Sequence, residues 1–153
     1  MKTCKSSNCF RVILLIVILA AMWGCGSGDS GGGAVPVTSK VFSNGASVSI
    51  LALGNGNYAV QGENLQGVHG IDLTIGYDGS TMSSPTVTPA ELVSGAMFVA
   101  NTSLPGTIRL AFVSGSVISG SGRIAAVSFA TDDGSGSIWL HSAQMIDING
   151  RSL

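Results

Sequence analysis

Beyond residue 33, no stretch of ten or more residues repeats its apolar side chains at a helical spacing. They recur at every second position instead, in short runs divided by turn residues, which is the pattern of half-buried strands. Ile71, Leu73, Ile75 and Tyr77 take one side of such a run, Asp72 and Thr74 the other. Ile108, Leu110 and Phe112 alternate with Arg109, Ala111 and Val113, and Ile138 and Leu140 with Trp139 and His141. Met97 and Val99 flank Phe98; Val48, Ile50 and Ala52 share a face; Tyr58 and Val60 follow the hairpin-grade turn Asn55-Gly56-Asn57. Gly67-Val68 leads into a separate third strand, and a short last segment spans Met145 to Ile148. Between Ile124 and Val127 the step is three rather than two, which predicts one extra residue, a β-bulge. Pro85 and Pro89 predict a looser connection, with a helical turn near Ala90 to Val93. Eight or nine short strands with regular turn signals predict an all-β, antiparallel sandwich. Its core is expected to hold Ile71, Leu73, Ile75, Leu110, Phe112, Ile124, Val127 and Phe129.

Composition agrees. Gly is abundant at 22, and only 10% of the 153 residues are charged. Few Lys and Glu with much Gly, Ser, Thr and Val suits a β-rich exported module. All three cysteines, Cys4, Cys9 and Cys25, lie at the N-terminal end, so packing rather than disulfides must stabilise the body. From Cys25 onward four basic residues face eight acids, a net charge of −4. Nucleic acid and anionic lipid both demand clustered Lys and Arg, so neither is an expected partner.

The N-terminal residues give an address. Met1 to Arg11 carries Lys2, Lys5 and Arg11 and no acid; Val12 to Trp23 is an unbroken apolar run; Gly24-Cys25 follows. Basic, apolar and small-residue regions in that order form an export signal. Twelve apolar residues fall short of the ~20 that a membrane-spanning helix needs. The Gly24-Cys25 pair resembles the lipobox of bacterial lipoproteins, in which cleavage before the Cys leaves a diacylated N-terminus. Met22 and Trp23 depart from the Leu and small residue usual three and two places before that Cys. The expected organisation is a signal peptide over 1–24, a lipidated Cys25 with a flexible Gly/Ser linker over 25–45, and a β-sandwich domain over 46–153. The expected location is the bacterial envelope, at the outer membrane or cell surface, or otherwise outside the cell.

Catalytic chemistry finds little support. Gly28-Asp29-Ser30-Gly31-Gly32 spells the nucleophile motif of chymotrypsin-like proteases, but Ser30 precedes both histidines and sits in the spacer. His69 and His141 have no partner at a metal-ligand spacing. Asp132-Asp133-Gly134 lacks the alternating acids and closing Glu of a calcium loop and reads as a solvated turn. Asn101-Thr102-Ser103 fits a glycosylation sequon, which carries no weight behind a bacterial signal. No Gly-rich segment follows a strand and opens a helix to cradle a phosphate. The chain is read as non-enzymatic, with no cofactor and no metal.

Four stretches in order carry a family likeness. Gln66 to Asp78 (QGVHGIDLTIGYD), Thr107 to Phe112 (TIRLAF), Ile118 to Phe129 (ISGSGRIAAVSF) and Asp147 to Gly150 (DING) resemble the third, sixth and seventh strands and the terminal Asp-x-Asn-Gly of cohesin domains. Cohesins capture dockerin domains in cellulosomes and related assemblies. The resemblance spans about 100 residues, Ala46 to Gly150. It implies a nine-strand jelly roll and a protein-binding role for the sheet formed by strands eight, three, six and five. Alternation sends Asp72, Thr74, Met97, Val99, Arg109, Ala111, Val113, Trp139 and His141 to the outside, and the resemblance gathers their strands into that sheet. The function expected is a membrane-anchored, cohesin-like module that binds a dockerin-like or other envelope protein. The alternatives are a polysaccharide-binding module linked to polysaccharide breakdown, and a structural part of a pilus or secretion assembly. Polysaccharide recognition calls for several exposed coplanar rings, and only Trp139 is expected to be exposed.

Overall fold

The computed structural model describes residues 36–153; the expected signal peptide, the Cys25 lipidation site and the Gly-rich spacer lie outside them. Seven strands run in chain order: β1 Pro36–Val41, β2 Ser47–Gly54, β3 Asn57–Tyr77, β4 Met82–Pro89, β5 Met97–Asn101, β6 Thr107–Asp132 and β7 Ile138–Ile146. A single 3-10 turn, Glu91–Val93, falls where a helical turn was expected. Every strand pairing is antiparallel.

β3 and β6 are long enough to serve two layers. The first half of β3 pairs with β2 and with the second half of β6, which pairs onward with β4. The second half of β3 pairs with β7 and with the first half of β6, which pairs onward with β5. The β3–β6 register slips between Gly62 and Leu65, Leu65 and Val68, and Val68 and Gly70, where both strands pass from one layer to the other. One layer thus reads β5–β6–β3–β7, the order of strands five, six, three and eight that the resemblance implied. The other reads β1–β2–β3–β6–β4. With β3 and β6 divided, seven runs supply nine strand segments.

Side chains of both layers meet in one cluster. Val48, Ile50 and Val60 from one layer pack with Leu73, Leu110 and Phe112 from the other. All eight residues expected in the core are buried there. Phe129 draws in Tyr77 and Tyr58, at ring-centroid distances of 4.9 and 5.9 Å. The expected bulge is present: Val60 faces Ala125 and Gln61 faces Arg123, so Ile124 has no opposite residue. The β2–β3 hairpin closes through Asn55 and Gly56, with φ of 52° and 69°. Positive φ at both central residues is the turn that Asn-Gly favours, because its twist matches the strands.

Five local expectations are corrected. Pro36–Val41 pairs with β2, so the ordered domain starts ahead of Ala46, inside the stretch assigned to a linker. Glycine content dominated that assignment, while Val37, Thr38 and Val41 are β-branched strand formers. Pro85 and Pro89 belong to β4, which pairs on one side only, with β6; an edge tolerates residues that lack an N–H. Gly67-Val68 does not divide two strands, and Met145 belongs to β7. Ala52 is exposed, near the hairpin end of β2, while Val48 and Ile50 are buried.

Tyr58 donates its hydroxyl hydrogen to Asp132 Oδ2 at 3.0 Å. Burial first, then the bond and charge of Asp132, raise the phenol above its usual 10.0. A folded-state pKa above the unfolded one gives stability that is complete below about pH 10 and is lost as pH climbs through the folded value. Urea midpoints between pH 8 and 12 should fall steeply at the alkaline end, and Tyr58→Phe should flatten that fall. An unchanged alkaline slope in the variant would assign the loss to other groups.

Candidate binding face

Register places the expected residues side by side on the outward face of the β5–β6–β3–β7 layer. Directly opposed residues in an antiparallel ladder share a face. One row across the sheet is Val99, Ala111, Asp72 and Gln144; the next is Met97, Val113, Gly70 and Ile146. On the other side lie Asn101, Arg109, Thr74 and Ser142, then Thr107, Gly76 and Trp139. His141 has no opposite residue, because Thr74 faces Ser142 and Ile75 faces Leu140. This bulge leaves it exposed, lining a hollow of about 440 Å³ with Thr74, Arg109 and Trp139. All nine expected residues are therefore brought to one face.

The face is apolar at one end and polar at the other. Met97, Val99 and Val113 are 76%, 65% and 57% exposed. Small residues Gly70 and Ala111 floor a shallow depression of about 260 Å³ between Val113, Ile146, Asp72 and Gln144. Arg109, His141 and Thr74 mark the polar end beside Trp139, which is 41% exposed.

Two glycines on β3 shape this surface. A Cβ at Gly76 would collide with the indole of Trp139, and one at Gly70 would stand 2.6 Å from Ile146 Cγ1. Side chains from β7 thus lie down over the bare backbone of β3. The Trp139 indole lies over the bare backbone at Gly76, on the same face as the outward residues of β3 and β6.

Sequence reasoning missed Gly70, Gly76, Asn101, Thr107, Ser142, Gln144 and Ile146. Period-two counting from Asp72 and Thr74 would have reached Gly70 and Gly76, and counting from Arg109 would have reached Thr107. Counting from Trp139 fails at His141, because the bulge reverses the parity: Ile138 points inward before it, Ala143 and Met145 after it.

The other polar motifs are local. His69 Nδ1 lies 3.1 Å from the Ser114 carbonyl oxygen. Asp132 Oδ1 accepts the Gly134 N–H, and Asp133 Oδ1 accepts both the N–H and hydroxyl of Ser135. The Ser135 bonds hold the Asp133 carboxyl below its usual range. Among the described residues no three His, Cys, Asp or Glu side chains converge as a metal site.

No protein-family model matches the sequence, and no curated protein does. Solved structures do. A non-cellulosomal cohesin of the archaeon Archaeoglobus fulgidus aligns at TM-score 0.56 and 23% identity, over 63% of this chain and 70% of that one. The sixth cohesin of scaffoldin B from Acetivibrio cellulolyticus, solved in complex with a Cel5 dockerin, aligns at 0.56 and 16%, over 76% and 82%. A type II cohesin from an adaptor scaffoldin of the same organism aligns at 0.54 and 14%, over 76% and 81%. At identities below a quarter the likeness concerns architecture, and the architecture of residues 36–153 is the cohesin fold.

Proposed function

We propose that this chain is a non-enzymatic, envelope-anchored binding module that captures a protein partner, a dockerin or another exported protein, on the β5–β6–β3–β7 face. The observation that carries it is the patch of exposed Met97, Val99 and Val113 on the same sheet face as Trp139. A contiguous apolar patch rimmed by polar groups is the mark of an interaction surface. Met, Trp and Arg are the residue types enriched in such interfaces. A protein of like fold is seen with a dockerin bound. Trp139 is the only exposed aromatic among the described residues, too few to form a stacking platform on this face for polysaccharide. The test is calorimetric titration of the full chain with type I and type II dockerins, beside a pull-down from host lysate. A saturable one-to-one complex with a dockerin, or with one identified exported protein, supports the function. Capture of insoluble polysaccharide at this face and of no protein rejects it.

Anchoring rests on Gly24-Cys25-Gly26 at the end of the apolar run. Acyl chains contribute about 0.8 kcal/mol per buried CH₂, and several together hold a protein stably at the bilayer. Cys25→Ser should shift the protein from the membrane to the soluble fraction and abolish palmitate labelling. Equal labelling and equal membrane association in the variant would refute lipidation.

A further inference from the structure

Among the described residues β7 has a strand partner along one side only, β3, and its other edge lies against β1. Thr38 and Lys40 stand opposite Ile50 and Val48 on β2, whose side chains are buried, so both lie on the inner face of β1. From there they reach the free edge of β7. The Leu140 N–H donates to Thr38 Oγ1 at 3.1 Å, and Lys40 Nζ donates to the Ala143 carbonyl at 2.6 Å. The Lys40 ammonium is steadied by the Phe42 ring, 5.3 Å from its centroid. It also lines a hollow of about 510 Å³ with Asp72, Ser142 and Gln144, at the rim of the binding face.

We propose that Thr38 and Lys40 are positioning residues for partner capture: they hold the β7 bulge, and through it they set where His141 and Ser142 stand beside Trp139 and Arg109. This rests on the protein-binding reading of that face. The two bonds bracket the bulge, one on Leu140 before it and one on Ala143 after it. In a regular strand, alternate residues turn their N–H and C=O to the same edge, so Leu140 and Ala143 would face opposite edges. The extra residue between them brings both to β1. Positions two apart on β1 thus match positions three apart on β7, and the bonds and the bulge support one another. The same extra residue is what leaves His141 and Ser142, neighbours in sequence, both exposed on the binding face. A bulge interrupts its ladder and leaves backbone groups without strand partners. Without Thr38 and Lys40, the Leu140 N–H and the Ala143 carbonyl lose the protein groups that satisfy them. A slip of β7 by one residue toward regular pairing would then turn part of its outward set inward.

The test is NMR of the full chain in mild detergent, with titration by type I and type II dockerins. Thr38→Val combined with Lys40→Met removes both bonds and keeps most of the bulk of each side chain. The Leu140 amide should then exchange with solvent about tenfold faster or more. The ring signals of His141 and Trp139 should move, and dockerin affinity should fall about fivefold or more. Thr38→Ser with Lys40 kept retains both bonds and should hold all three readouts near wild type. Ser39→Gly loosens β1 from its outward side without touching either bond; it should lower melting and leave the ring signals and the affinity unchanged. The proposal falls if the double variant leaves the Leu140 amide and both ring signals as they were, if Ser39→Gly moves those signals as far, or if dockerin affinity holds while the signals move. A wild-type chain that captures no protein rejects the proposed function and with it the role in capture; the exchange rate and ring signals then still decide whether Thr38 and Lys40 set the bulge.

Discussion

Phe112→Ala should lower the unfolding free energy by about 3–5 kcal/mol, the sum of lost transfer energy and the cavity left behind. Phe112 is 1% exposed and sits at the centre of its layer, with Ile71 opposite on β3 and Phe98 opposite on β5. Its ring stacks on Phe98 at a centroid distance of 4.9 Å and an angle of 27°. Removing it strands Phe98, whose half-buried ring has no other aromatic partner among the described residues. Domains of this size are stable by only about 5–15 kcal/mol, so the variant should melt far lower or lose its cooperative transition. Phe98→Ala, on the edge strand, should cost distinctly less. Urea titration of both variants decides: a loss below about 1 kcal/mol for Phe112→Ala would mean that the inward and outward faces of β6 are exchanged.

Partner capture should weaken by about 30-fold or more when Trp139 and Arg109 are both replaced by Ala. Trp and Arg are the commonest interface hot spots, and 2 kcal/mol, a typical single hot-spot loss, already corresponds to about 30-fold in Kd. Arg109 is exposed, but the Trp139 indole covers Gly76, so some loss of folding stability is expected and capture is compared at a temperature well below the melting of either protein. Gly76→Val reaches the same end by another route. The new side chain occupies the place of the indole, so Trp139 is kept in the chain and expelled from its seat. That variant should lose capture to a similar degree and show altered Trp fluorescence. Titration against the captured partner reads both. Unchanged affinity in the folded double variant would remove this face from the proposed function.

The alternation of Ile71 to Tyr77 and of Ile108 to Phe112 was legible because each run lies in one layer, covered on one side. The bulge at Ile124 was legible for the same reason: a single extra residue leaves a step of three between apolar positions. The bulge at His141 left no such trace, since Leu140 and Ala143 are also three apart but enclose polar residues that suit either face. The continuity of β3 and β6 was hidden because the layer crossing is built from Gly, Asn and Ser, which read locally as turns. β1 was hidden by its neighbours in sequence, and β4 by prolines that only an open edge admits. The binding face needed the family likeness as well as alternation, because alternation gives each strand a direction and says nothing of which strands adjoin.

The sharing of β3 and β6 between layers has a kinetic side. Their paired residues lie from 31 positions apart, at Gly76 and Thr107, to 71 apart, at Asn57 and Ser128. Closing that long loop gives both layers their central pair together. High contact order of this kind places folding in the millisecond-to-second range. Because the two layers share these strands, parting β3 from β6 in one layer should loosen their pairing in the other, and the two layers are expected to open together.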